Sequence, residues 1–404
     1  MSKSRSLGFD AGRLARVDRM VADRYVAKGK LPCAMTLVSR GGEVAHLGVQ
    51  GFADVERGEK LAEDTVFRIY SMTKPVTSVA LMMLVEEGAI ALDEPVHRHI
   101  PEWKTLGVYK AGFIGTFQTS RPERPMLVVD LLRHTSGLTY GFQQRTNVDA
   151  AYRKRGIGEI VRSGTLEGMI AGLADIPLEF SPGAAWNYSV ATDVCGYLVQ
   201  KLTGKPLAAA LKERIFDPLG MDDTAFEVSP RNAERFASCY SATPSGGMVK
   251  TDDARESPYL QAPGFVSGGG GLVSTMADYH KFCRMLLNGG ELGGKRLLGR
   301  KTVELMTSNH LPGGRFLAEM SQSLFSEAAY DGIGFGLGFA VTIDPARTLL
   351  PGSVGEYSWG GAASTYFWID PKEELIAIFM TQLLPSTLYP LRRELRTGIY
   401  SAMT

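Results

Sequence analysis

The stretch Val66-Phe67-Arg68-Ile69-Tyr70-Ser71-Met72-Thr73-Lys74 runs without a break into Pro75-Val76-Thr77-Ser78-Val79-Ala80-Leu81-Met82-Met83-Leu84-Val85-Glu86-Glu87-Gly88. Its first part, Val66–Tyr70, reads as a short strand, and a helix begins near Ser71. Over Thr73–Glu87 the apolar residues leave no wide polar face, the mark of a helix buried in the middle of a protein. Gly88 is placed to end it, because a residue just past a helix must often turn left-handed. A serine at the head of such a helix, with a lysine three positions on, puts two polar side chains on one face of an otherwise apolar rod.

Around this helix the chain divides into three stretches. Before it come a helix over Asp10–Lys28, with Leu14, Val17, Met20, Val21 and Tyr25 at helical spacing, and strands Ala34–Ser39 and Glu43–Val49 joined by Arg40-Gly41-Gly42, a hairpin turn. From Leu92 to Pro263 short helices (Val128–Arg133, Leu166–Ala174, Ala191–Leu202, Leu207–Ile215) alternate with long loops, and no period-two alternation stands out. The last third holds Gly268–Gly271, a helix Thr275–Leu287, strands Gly336–Ile343, Ser364–Ile369 and Leu375–Thr381, and an amphipathic helix Leu388–Met403. Strands at both ends with helices between predict an α+β protein: residues 1–91 and 264–404 build one sheet-containing unit, 92–263 a mostly helical insert, and the cleft between them is the natural place for a site.

Composition narrows the function. The 404 residues carry 44 Lys+Arg against 43 Asp+Glu, a net charge of +1, so no basic excess exists to neutralise a phosphate backbone. Nucleic acid is excluded as the expected partner. The four cysteines, Cys33, Cys195, Cys239 and Cys283, are far apart and read as free thiols in apolar surroundings. The N-terminus lacks a signal peptide's apolar segment, and the apolar run around Val79–Val85 is far short of the ~20 residues a membrane span needs. A soluble, cytoplasmic protein is expected.

The chemistry-bearing motifs are sparse. There is no G-x-S-x-G, no P-loop, no H-E-x-x-H and no EF-hand loop. His97 and His99 stand two apart in a Pro-flanked loop, a poor metal pair. What remains is Ser71-Met72-Thr73-Lys74. About one S-x-x-K is expected by chance, but this one has an unusual setting: the serine sits at a helix N-terminus, where free N–H groups favour developing negative charge. Lys74 then enters the most apolar helix of the chain, where burial lowers the proton affinity of an amine. Two further segments accompany it, Tyr188-Ser189-Val190 ahead of the helix Ala191–Leu202, and Trp359-Gly360-Gly361-Ala362 ahead of the strand Ser364–Ile369.

This ordered set resembles the serine penicillin-recognising superfamily, whose S-x-x-K, Y-x-N and K-T-G motifs meet in one cleft. Leu92-Asp93-Glu94-Pro95-Val96, Leu131-Leu132-Arg133-His134-Thr135-Ser136-Gly137-Leu138 and Gly269-Gly270-Gly271-Leu272-Val273-Ser274-Thr275 extend the resemblance over residues 10 to 400. Within it the chain is most similar to class C β-lactamases and, closer still, to family VIII carboxylesterases. Val190 stands where the amide of Y-x-N would hold a substrate acylamino group, and Trp359-Gly360-Gly361 replaces the cationic K-T-G that holds a penicillin carboxylate. A lost buried partner of that kind costs ~2–5 kcal/mol of recognition. The resemblance therefore implies a serine carboxylesterase for short-chain or small aromatic esters with at most weak β-lactamase activity.

By that resemblance Ser71 is the nucleophile, Lys74 and Tyr188 the pair that activates it, with the general base left open between them, and the backbone N–H groups of Ser71 and Ala362 the oxyanion hole. Substrate contacts are expected from Trp359, Gly360, Gly361, Val190, Tyr140 and Phe142, with Phe265 a further loop aromatic near the cleft. No metal or other cofactor is required. The family's second lysine is missing, so Lys74 is expected to supply more of the positive field at Tyr188. Gly268–Gly271 reads as close backbone packing, and His134-Thr135-Ser136-Gly137 as a structural turn. The alternatives are an acyltransferase on the same scaffold, a true β-lactamase, a D-amino-acid peptidase and, last, a non-catalytic sensor.

Overall fold

The computed structural model describes residues 3–158, 163–244, 246–322 and 331–404. Its centre is an eight-stranded antiparallel sheet made from both ends of the chain. In spatial order the strands are Ile333–Phe335, Ala340–Thr342, Tyr357–Gly360, Tyr366–Asp370, Leu375–Met380, Cys33–Arg40, Glu43–Asp54 and Glu59–Lys60. The C-terminal strand Leu375–Met380 pairs with the N-terminal strand Cys33–Arg40, Met35 opposite Met380 and Arg40 opposite Leu375. Arg40 and Glu43 close a two-residue loop in which Gly41 and Gly42 take φ of 57° and 80°, as the tightest hairpin turn demands. The α+β expectation holds.

Period two sorts the sheet's side chains between two cores. Tyr366, Trp368, Leu375, Ala377 and Phe379 face the terminal helices Ala11–Val21 and Leu391–Tyr400. Their neighbours Phe367, Ile369, Ile376 and Ile378 face the larger core, which contains the helix Thr73–Glu86. That helix is buried almost throughout, as its unbroken apolar surface predicted. Gly88 ends it at φ 72°, with the Gly88 and Ala89 N–H groups donating to the carbonyls of Val85 and Leu84.

Some elements depart from expectation. The strand read over Gly336–Ile343 is two strands, Ile333–Phe335 and Ala340–Thr342, because the chain turns at Gly338 (φ 100°), where a Cβ would collide with Ser78 of the central helix. Tyr357–Gly360 is a strand of its own, and the helix starting at Leu207 passes into a wider turn over Lys212–Phe216. The stretch 92–263 holds two hairpins, Val108–Ala111 with Gln118–Ser120 and Cys239–Ala242 with Met248–Asp252. Their short strands are half-buried or exposed over most of their length, so they carry little of the apolar alternation that marks a strand in sequence. The four cysteines are free and buried. Among the described residues no helix is long and apolar enough to cross a membrane.

Candidate active site

The strand Val66–Arg68 pairs with Val273–Thr275 and is pinned by the fully buried Arg68, whose Nε donates to Asp252 at 2.7 Å. The chain then reverses through Tyr70, at φ 42°, into a single turn Tyr70–Met72 that feeds the helix at Thr73. Pro75 is tolerated because the first helical turn has N–H groups without intrahelical acceptors. Ser71 thus stands at the head of the helix, half-buried, and Lys74, one turn on, is 2% exposed.

Tyr188 arrives from the other side. The turn at His134 (φ 57°) lets residues 134–139 bond the segment 183–190, with Asn187 N–H donating to the His134 carbonyl at 2.9 Å and Val190 N–H to that of Thr139 at 3.2 Å. The His134 ring packs 5.1 Å from that of Tyr188, and Gln143 Nε2 donates to the Tyr188 carbonyl at 2.8 Å. The turn read as structural is therefore the support of the phenol.

Three side chains meet. The Tyr188 hydroxyl donates to Ser71 Oγ at 2.7 Å, and Lys74 Nζ stands 3.3 Å from the same oxygen. Lys74 also donates to the Tyr140 hydroxyl at 3.1 Å and to the Gly269 carbonyl at 2.6 Å, and lies 4.5 Å above the Tyr188 ring. Burial drives the lysine down to about 7, with the nearby Asp193 carboxylate pulling the other way. Burial pushes the Tyr188 phenol up, against hydrogen bonds to Ser71 and Trp359 and the charge of Arg392. An amine that titrates near neutrality can accept a proton from a serine; a neutral phenol can give one to a departing oxygen.

The centre opens on a cavity of about 690 Å³ walled by Tyr70, Tyr140, Phe142, Phe226, Tyr259 and Phe265. Tyr140 and Phe142 are stacked, ring centroids 4.7 Å apart. Ala362 lines the same cavity as Ser71, in the turn beyond Tyr357–Gly360. Gly361 permits this approach, since a Cβ there would collide with the carbonyl of Ile69, two residues before Ser71. Trp359, Gly360, Gly361 and Val190 do not line the cavity. Trp359 is wholly buried, 5.5 Å from the Tyr188 ring, Val190 is wholly buried, and a Cβ on Gly360 would strike the guanidinium of Arg392.

Sequence reasoning missed Arg392 and Asp193. Arg392 comes from the C-terminal helix, its guanidinium buried over the Tyr366 ring at 4.7 Å; burial lowers it to about 10 and Tyr188 opposes the drop. Its charge lowers the Tyr188 phenol. No local pattern reveals it, because its partners are distant in sequence. The run Gly268–Gly271 lies against the central helix as expected for backbone packing: Thr77 Oγ1 donates to the Gly268 carbonyl at 2.7 Å. Among the described residues no group of His, Cys, Asp and Glu is arranged to hold a metal ion.

A serine at a helix head with a lysine one turn on and a tyrosine hydrogen-bonded to it, under an antiparallel sheet, defines the class of active-site-serine enzymes with a β-lactamase-like fold. The Beta-lactamase family model matches residues 18–399, and the chain belongs to that family, where it groups with the family VIII esterases. It is similar to esterase EstB of Burkholderia gladioli, with 30% identity over 98% of this chain and 97% of that one. The lovastatin esterase of Penicillium rubens shares 28% identity over 85% of this chain and 87% of its own. Among solved structures, EstCE1, described as a hydrolase with promiscuous acyltransferase activity, superposes with a TM-score of 0.81 at 25% identity, covering 98% of this chain and 99% of the other.

Proposed function

We propose that the protein is a serine carboxylesterase for small, uncharged esters with short-chain or small aromatic groups, working through an acyl-enzyme. The observation that carries this reading is the Ser71 hydroxyl held between Lys74 and Tyr188 at the floor of an aromatic cavity. Lys74, as the neutral amine, takes the Ser71 proton while Oγ bonds to the ester carbonyl carbon. The carbonyl oxygen becomes an oxyanion held by the N–H groups of Ser71 and Ala362. When the tetrahedral intermediate collapses, the C–O bond to the alcohol breaks and Tyr188 protonates the leaving oxygen, itself reprotonated from Lys74. Water then attacks the acyl group in the mirror sequence and releases the acid.

The cleft between residues 1–91 with 264–404 and the insert 92–263 serves as the binding groove, with Tyr140 and Phe142 touching substrate. Trp359, Gly360, Gly361 and Val190 act from behind that wall, shaping it and denying it the cation and amide that a penicillin needs. β-Lactam turnover is accordingly weak. The enzyme works in the cytoplasm. The second reading, acyl transfer to an alcohol, is supported by the acyltransferase activity in the description of EstCE1; it differs only in which nucleophile meets the acyl-enzyme.

Hydrolysis of p-nitrophenyl butyrate by the wild type and Ser71→Ala tests the proposal. The alanine variant is expected to lose about 10³-fold or more. Wild-type turnover in that variant would refute it. Adding a good alcohol separates the two readings by the ratio of new ester to free acid.

A further inference from the structure

Beside the centre lies a carboxylate to which this chemistry gives no task. Asp193, in the first turn of the helix Ala191–Thr203, is 2% exposed and lines the cavity. Its Oδ1 accepts from Ser267 Oγ at 2.6 Å and from the Gly269 N–H at 2.9 Å. The carbonyl of the same Gly269 accepts from Lys74 Nζ at 2.6 Å. One glycine therefore joins the carboxylate to the amine. The space for this is reserved by the absence of side chains: a Cβ on Gly269 would lie 2.6 Å from Asp193 Oδ2 and 3.0 Å from the Tyr140 hydroxyl, and one on Gly268 would lie 3.0 Å from the Thr192 carbonyl and 3.1 Å from Thr77 Cγ2.

The groups facing Lys74 are Ser71 from its own turn, Tyr140, Tyr188, the His134 ring whose charged form it opposes, the Gly269 carbonyl and Asp193. Those facing Asp193 are Lys74, Tyr140, Tyr188, Cys195, Ser267 and Gly269. Asp193 is thus the one carboxylate among the described residues shown acting on the lysine. A single buried anion near a buried ammonium holds the proton on it more tightly than burial alone allows.

Resting on the esterase reading, we propose that Asp193 is a positioning residue of this centre: it anchors the Gly269 carbonyl over Lys74 and supplies the negative charge against which the buried ammonium is held. The helix of Asp193 and the helix of Ser71 then act as two jaws on the glycine strip, and the lysine is clamped where it reaches both Ser71 and Tyr188.

The test is the pH profile of kcat/KM with p-nitrophenyl butyrate for the wild type, Asp193→Asn and Ser267→Ala. Asparagine keeps an acceptor for Ser267 and Gly269 but removes the charge, so the acid limb should move to lower pH by about one unit. Ser267→Ala keeps the charge, and its limb should stay at the wild-type position while kcat falls about two- to fivefold. Asp193→Ser, which leaves room for water, is expected to move the limb like Asp193→Asn, so either Asp193 variant decides alone. An acid limb superimposed on that of an active wild type would overturn the role of Asp193, even if kcat falls. A wild type without hydrolysis would count against the esterase reading instead.

Discussion

Two buried cations flank Tyr188, and they differ in kind. Lys74 stands 3.3 Å from Ser71 Oγ and 4.5 Å above the Tyr188 ring; Arg392 comes from the C-terminal helix, its guanidinium packed beside Gly360, and its charge lowers the phenol. Burial lowers both, the lysine to about 7 and the arginine to about 10. A lysine can be brought into the range where it gains and loses a proton at working pH, whereas a guanidinium stays charged. In the proposed mechanism the same physical cost therefore yields a proton carrier at Lys74 and a fixed charge at Arg392.

The largest effect should come from erasing the distinction at its source. Lys74→Arg keeps a cation near Ser71 but removes the exchangeable proton, and kcat/KM for p-nitrophenyl butyrate should fall about 10²–10⁴-fold. A variant within a few-fold of wild type would mean that a static charge suffices. Next, activity should rise from acid toward neutrality, with a midpoint near the Lys74 value of about 7, because only the neutral amine accepts the serine proton. A flat profile between pH 5 and 9 (roughly the range in which such a base titrates) would remove Lys74 from that task.

On the Arg392 side the change should be smaller and should depend on the substrate. Arg392→Met takes away a charge that lowers the phenol, making Tyr188 a poorer proton donor. Hydrolysis of an ethyl ester, whose leaving alkoxide needs that proton, should drop about tenfold, and that of a p-nitrophenyl ester about twofold. Equal losses on both esters would show that Arg392 serves packing alone. Smallest of all is the rim: Phe142 is 55% exposed, and Phe142→Ala should raise KM about two- to threefold with kcat unchanged.

The same contrast explains what could be read in advance. Lys74 was legible because one helical turn fixes its distance from Ser71, and the apolar run of Val76–Val85 announced its burial. Tyr188 became legible only through the order of motifs, since nothing in Tyr188-Ser189-Val190 by itself says that it lies 2.7 Å from Ser71. Arg392 and Asp193 were invisible: an arginine in an amphipathic terminal helix and an aspartate in a helix's first turn both look like ordinary surface residues. Trp359 is expected from sequence to contact substrate and sits behind the cavity wall, because the strand Tyr357–Gly360, which sets the face on which its side chain points, carries no clear signal in the sequence. The eight-stranded sheet was legible where its strands alternate or run apolar, and obscure where Gly336–Gly338 turns the chain in mid-run.

The shared centre of Ser71, Lys74 and Tyr188 is tested most directly by mapping the adduct of diethyl p-nitrophenyl phosphate, which phosphorylates activated serines. Peptide mass spectrometry should find the diethyl phosphoryl group on Ser71 of the wild type, with labelling slowed at least about tenfold in Lys74→Arg and in Tyr188→Phe. An adduct on another serine, or on Ser71 at an unchanged rate in both variants, would contradict the account.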